Sequence, residues 1–363
     1  MNKSEIKIKL DNEIKIIITE TVGILKNSIE AIILYGSYGR GEGAFYVDEN
    51  NEIRTYNDFD IIIVSNSFIN NSEIDRVTEV LSNKLDVRWI DISQKSVDDL
   101  KQLKSSIFNF DLKYGSTVIW GNKEILQYIP AFESNKLSLK EGETLYFTRI
   151  WTFLGSLPIN AFKTGVSKNN ARFFRNQMAK AVLAVVDILL LQNKSYNSSY
   201  KKRVELINEL HPNNTTLINL ANWALNEKLR PKSNKMSSIE VSELYGRVSN
   251  LFFNEMYQLL GKFYNRNIIT TKDIEAAMKF SLHEIISIIK GAIQTRRISH
   301  SKGFKLRIAQ SYIFESYFKK NEEKIKLINL AKKKITEIDS TVNIDSFNWN
   351  ELRIFIAELR LNS

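Results

Sequence analysis

Asp58 and Asp60 stand two residues apart at the head of the apolar run Ile61–Val64. On an extended chain that spacing turns both carboxylates to one face. Their like charges repel there, and hard divalent cations such as Mg²⁺ or Mn²⁺ make sense of the arrangement. Upstream, the segment AIILYGSYGRGEG leads the apolar run Ala31–Tyr35 directly into Gly36, Ser37, Gly39, Arg40 and Gly41. Glycines behind a strand let backbone N–H groups approach an anion closely. Ser37 adds a hydroxyl donor and Arg40 a permanent positive charge, both suited to phosphate oxygens. A third acid, Asp91, falls in the run Val87–Ile92, on the side of Val87 and Trp89. Asp86 competes for its role but has the opposite parity. If that run lies beside Ile61–Val64, three acids converge where the glycines point. A phosphate cradle with acids able to hold two metals is equipment for in-line phosphoryl or nucleotidyl transfer.

These groups need a scaffold, and the first 130 or so residues read as an alternation of strands and helices. An amphipathic helix covers 9–27, with Ile14, Ile17, Ile18, Val22 and Leu25 at helical spacing. The strands Ala31–Tyr35, Ile61–Val64, Val87–Ile92 and Thr117–Trp120 follow, separated by Ser-started helices over Ser72–Lys84 and Ser96–Lys104. Between the glycines and the acids, Phe45–Tyr56 reads as a hairpin turning at Asp48–Asn51. After Pro130 the pattern becomes helical, over 140–157, 168–192, 214–228, 236–264, 271–294 and 316–338. Ala171–Gln192 is apolar on nearly every side after Met178, as a central bundle helix would be. The expectation is a catalytic α+β domain over 1–135, with a small mixed sheet and flanking helices, then an all-α, basic bundle over 136–363.

Composition narrows the classes. The chain has 363 residues, 43% of them hydrophobic, and no cysteine, which excludes a disulfide scaffold, a thiolate metal site and a cysteine nucleophile. Three histidines, His211, His283 and His300, are too few for an imidazole metal cage. No apolar run reaches membrane-spanning length and the first residues do not resemble a signal peptide, so a soluble cytoplasmic protein without membrane partners is expected. Residues 1–150 carry 18 Lys and Arg against 23 Asp and Glu, and residues 151–363 carry 33 against 18. An acidic half joined to a basic half suits carboxylate chemistry on one side and anion binding on the other. Tyr200–Arg203 and the stretch from Arg296 to Arg307, with Phe304 and Tyr312 interleaved, are basic clusters open to RNA or to an anionic acceptor.

Gly-Ser-Tyr-Gly-Arg-Gly-Glu at 36–42, then Asp-Phe-Asp at 58–60 entering a strand, then a later strand with another Asp, resembles the DNA polymerase β-like nucleotidyltransferase superfamily. The glycine motif is similar to that of PII-uridylyltransferases, and the helical second half to the bundles of antibiotic nucleotidyltransferases. The resemblance implies that Gly36 and Ser37 hold the triphosphate and that Asp58 and Asp60 bind both metals. It implies that Asp91 binds one metal and activates the acceptor hydroxyl, with Lys180 in the helical part reaching the triphosphate. It further implies Mg²⁺ or Mn²⁺ as cofactor, an NTP (ATP by default) as donor, and a small-molecule or protein acceptor. An RNA- or nucleotide-directed transferase and a non-catalytic nucleotide-binding module are the alternatives. The 20 residues Tyr38–Asn57 between glycines and acids exceed the spacing of many relatives.

Overall fold

A computed structural model describes residues 2–85, 87, 89–279, 284–286, 288 and 300–361. The chain is α+β, with a small mixed sheet near the N-terminus and a mostly helical remainder. Its contacts divide it into two compact units: Met1–Ser138 with Leu190–Lys232, and Leu139–Leu189 with Ser233–Ser363. The segment 190–232, expected within the helical C-terminal part, therefore makes its contacts with the N-terminal segment.

In the first unit, helix α1 (Lys3–Leu25) opens with a capping box in which Asn2 and Glu5 satisfy each other's backbone. Four strands follow: β1 (Ile29–Tyr35), β4 (Phe59–Ser65), β5 (Ile90–Ser96) and β6 (Thr117–Gly121), arranged in the order β5-β4-β1-β6. β1 is antiparallel to β4 and β6, whereas β4 and β5 run parallel. The helix α3 (Asn71–Lys84) makes the crossover between those parallel neighbours. Ile32, Leu34, Ile61 and Ile63 share a buried cluster with Ile17 of α1 and with Val77 and Leu81 of α3. Their strand neighbours Ile33 and Ile62 are equally buried on the opposite face, so the two central strands read as continuous apolar runs. The expected hairpin forms from β2 (Phe45–Val47) and β3 (Ile53–Thr55), with Tyr46 opposite Arg54. Asp48 builds its turn, accepting from the amides of Asn50 at 2.8 Å and Glu52 at 2.9 Å.

Short helices α2 (Gly36–Gly39), α4 (Val97–Lys101) and α5 (Ile107–Tyr114) complete the sheet's connections. β5 sits three residues later than expected and runs to Ser96, so the helix predicted from Ser96 begins one residue on, with Ser96 as its N-cap. The returning segment supplies α9 (Tyr200–Leu210) and α10 (Thr215–Leu229).

The second unit holds α6 (Lys140–Ser156), α7 (Ala161–Thr164), most of α8 (Lys168–Gln192), α11 (Ser238–Tyr264) and α12 (Thr271–Lys279). It continues with α13 (Lys302–Ser316), α14 (Asn321–Thr336) and α15 (Trp349–Leu361). As expected, α8 is enclosed from Met178 onward, where Val182, Val185 and Ile188 are fully buried. Aromatic rings fill the rest of this core: Phe153 lies 5.1 Å from Phe252 and 5.2 Å from Phe314. The helix expected to run to 294 reaches beyond the described residues, as does His283.

Candidate active site

Register decides which side chains meet. β1 and β4 pair so that Tyr35 stands opposite Asp60, and the parallel pairing of β4 with β5 sets Asp60 opposite Asp91. Directly opposed residues project to the same face of a sheet. Tyr35, Asp60 and Asp91 therefore line up across three strands at one end of the sheet. The expected approach of the acidic strands holds, with Asp60 and Asp91 as partners. Asp58 lies just ahead of β4, partly buried. Among the described residues no group of three or more His, Cys, Asp and Glu side chains is placed to hold a metal ion. The ladder itself pairs Asp60 with Asp91, and Asp58 falls one residue outside it. Asp86 lies outside the described residues.

The glycine turn closes on the same spot. Gly36 has φ +65°, and a Cβ there would sit 1.9 Å from Asp60 Oδ2. Only glycine lets the backbone turn left-handed while touching that carboxylate. Ser37 is buried behind it, and its carbonyl accepts from the Glu42 amide at 2.8 Å. Tyr38 pins the hairpin to the turn: its hydroxyl donates to Ala44 O at 2.7 Å and accepts from the Asn57 amide at 3.3 Å. Tyr35 was not singled out by sequence. Burial and the negative charges of Asp60 and Asp91 push its hydroxyl well above the usual tyrosine range, so it remains a protonated donor beside the acids. Its place as the last apolar-run residue before the turn was the only available signal.

Arg40 departs from expectation. Its side chain is 7% exposed, with Nε 3.5 Å from Glu42 Oε2 and Nη1 3.5 Å from Asp111 Oδ2. It lies over the Tyr200 ring at 4.6 Å. A buried guanidinium already shared by two carboxylates is a structural group, so Arg40 is not placed as a phosphate ligand here. Arg203, 2% exposed, completes the cluster by donating through Nη2 to both Asp111 oxygens, at 2.9 and 2.7 Å. Glu42 accepts from Ser199 Oγ at 2.8 Å, from the Tyr200 amide at 2.9 Å and from the Lys201 amide at 3.1 Å. A carboxylate thereby caps the first turn of α9. The basic run Tyr200–Arg203 is thus a helix start whose Arg faces inward.

Lys180 stands half-buried on α8, in the second unit. Of the other basic cluster, Arg296 and Arg297 lie outside the described residues. Phe304 and Tyr312 are core residues of α13, and His300 pairs with Glu284 at 3.0 Å, so those rings are not a surface for stacking bases. No helix among the described residues is long and apolar enough to cross a membrane.

The chain was compared with protein families, curated proteins and solved structures. No protein-family model matches the chain, and no curated protein does. Among solved structures it is similar to a spectinomycin adenyltransferase from Enterococcus faecialis, crystallised with ATP and spectinomycin. The identity is 10% and the TM-score 0.39, over 65% of this chain and 98% of the other.

Proposed function

We propose that the first unit is a nucleotidyltransferase, moving a nucleoside monophosphate from an NTP to a hydroxyl of a small-molecule or protein acceptor. The observation that carries this reading is the closure of Gly36 onto Asp60, itself in register with Asp91. A backbone turn suited to phosphate and a pair of carboxylates occupy one end of one sheet. Two neighbouring carboxylates fit Mg²⁺ or Mn²⁺, since Mg²⁺ is commonly held by one or two protein acids together with substrate phosphates and water. Asp60 and Asp91 would hold the ion, with Asp58 the further donor. Such an ion neutralises phosphate charge and makes an acceptor hydroxyl more acidic.

The chain's own groups then have separate tasks. The Gly36–Ser37 turn binds the phosphates, and Tyr35 stands at the edge of the acidic pair. Asp91, the exposed carboxylate of the two, takes the proton of the acceptor hydroxyl. The acceptor oxygen bonds to the α-phosphorus, the bond from that phosphorus to the bridging oxygen breaks, and pyrophosphate leaves with the bonding electrons. Most of the barrier reduction is then positioning and charge stabilisation.

Incubation with each α-labelled NTP, ATP first, Mg²⁺ and cell extract tests the proposal. Label moves to an acceptor in a metal-dependent way, and Asp60→Asn abolishes the transfer. Transfer that survives Asp60→Asn removes the acidic pair from the reaction.

A further inference from the structure

We propose that the half-exposed ring of Phe108, braced edge-on by Tyr35, is the platform on which the base of a bound NTP stacks. The inference deepens the nucleotidyltransferase reading and rests on it. Tyr35 is the register partner of Asp60, and its ring meets Phe108 with centroids 5.5 Å apart and planes at 79°. Two side-chain steps therefore lead from the acidic pair to Phe108. A nucleotide with its phosphates at the acids carries its base about one ribose farther out, and in the proposed pose that base lies on the Phe108 side.

Phe108 is held firmly for such a task. It lies in the first turn of α5, whose N-cap Ser106 accepts from the Asn109 amide at 3.1 Å. The T-shaped contact with Tyr35 fixes the edge of the ring, while the residue remains 48% exposed. Exposing an aromatic ring forgoes the free energy that its burial would contribute, and a planar ligand laid on it would recover that contribution. Trp89 is another exposed aromatic, two residues before Asp91 and 66% exposed. It precedes β5, which pairs with β4 and not with β1, the strand that leads into the glycine turn. Every base has a π face, so one ring binds any NTP with little discrimination.

Titration calorimetry on the full chain in Mg²⁺ buffer tests this, with ATP and inorganic tripolyphosphate as probes. Phe108→Ala weakens ATP at least fivefold and leaves tripolyphosphate unchanged, whereas Phe108→Trp restores ATP to within twofold of the parent. Circular dichroism melts identify any variant that fails to fold. The platform is overturned if Phe108→Ala leaves ATP affinity unchanged, if it weakens both probes alike, or if Trp89→Ala alone produces the ATP-specific loss. A parent chain that binds neither probe overturns the underlying nucleotidyltransferase reading and the platform with it.

Discussion

The seven residues from Gly36 to Glu42 serve two polar regions of opposite design. At the leading end, Gly36 touches Asp60 beside Asp91, and two charges of one sign stand together. At the trailing end, Arg40 and Glu42 join Asp111 and Arg203 in a buried cluster with two charges of each sign. A buried group of balanced charges is expensive to break. Two facing like charges repel each other, whereas the balanced cluster does not. The difference teaches that one short motif can border a like-charged pair at its first residue and a balanced cluster at its last.

The largest separation between these regions is expected from Asp60→Asn. Metal-dependent label transfer should fall by about three orders of magnitude, the scale of removing one preorganised charged group from a transition state. The melting temperature should change little, because the amide keeps the size and shape of the carboxylate. A variant that loses stability instead would place Asp60 in the anchoring class and break the comparison. Arg203→Met is the opposite case. It leaves Asp111 without its main partner and should cost about 3–5 kcal/mol in urea unfolding. A cost below about 1 kcal/mol would show that the cluster behaves like an exposed ion pair.

Gly36→Ala sits on the boundary and should show both effects. The left-handed backbone costs about 1–2 kcal/mol with a Cβ present. The displaced Asp60 should lower transfer by about 100-fold, as an ångström-scale misplacement does. Loss of stability with full activity would mean that the carboxylate needs no glycine beside it.

The smallest effect is a pH dependence in the second unit, which has a paired carboxylate of its own. Burial alone would push Glu275 up, but hydrogen bonds from Tyr312, Lys279 and Lys334 outweigh it and hold the carboxyl at about 2, against an ordinary 4.5. Because the folded value is the lower one, the group contributes stability above about pH 4.5. That contribution fades as pH falls toward 2. The melting difference between parent and Glu275→Gln should therefore be full at neutral pH and shrink through that window. A constant difference would assign the effect to packing.

The site's leading half was legible because its elements are local and strongly patterned. Ala31–Tyr35 and Ile61–Val64 are continuous apolar runs, and the expected hairpin over 45–56 announced itself by its turn residues. β5 was displaced because it is an edge strand, with Gln94 and Lys95 partly exposed. The apolar signal stops at Ile92 although pairing continues to Ser96. The trailing half was illegible for a different reason. Arg40 reads as an available cation until Asp111, 71 residues away, is known to face it. Arg203 reads as one of a surface run until the same carboxylate turns it inward. Likewise α13 looked like part of a basic surface stretch, although Phe304, Ile308 and Tyr312 are buried. Charged side chains carry no sequence mark of their partners, so balanced clusters stay hidden where apolar periodicity does not.

Glu42 caps a helix that begins 158 residues later in the chain, and this has a consequence for synthesis. Every strand among the described residues has been synthesised once Gly121 is made, yet Glu42 and Asp111 still await Ser199, Tyr200 and Arg203. The nascent sheet must be kept from aggregating until about 80 further residues have been translated, at roughly 5–20 per second. A fragment cut at Ser138 would remain in that unfinished condition, and one that also carries 190–232 is the smallest piece worth expressing.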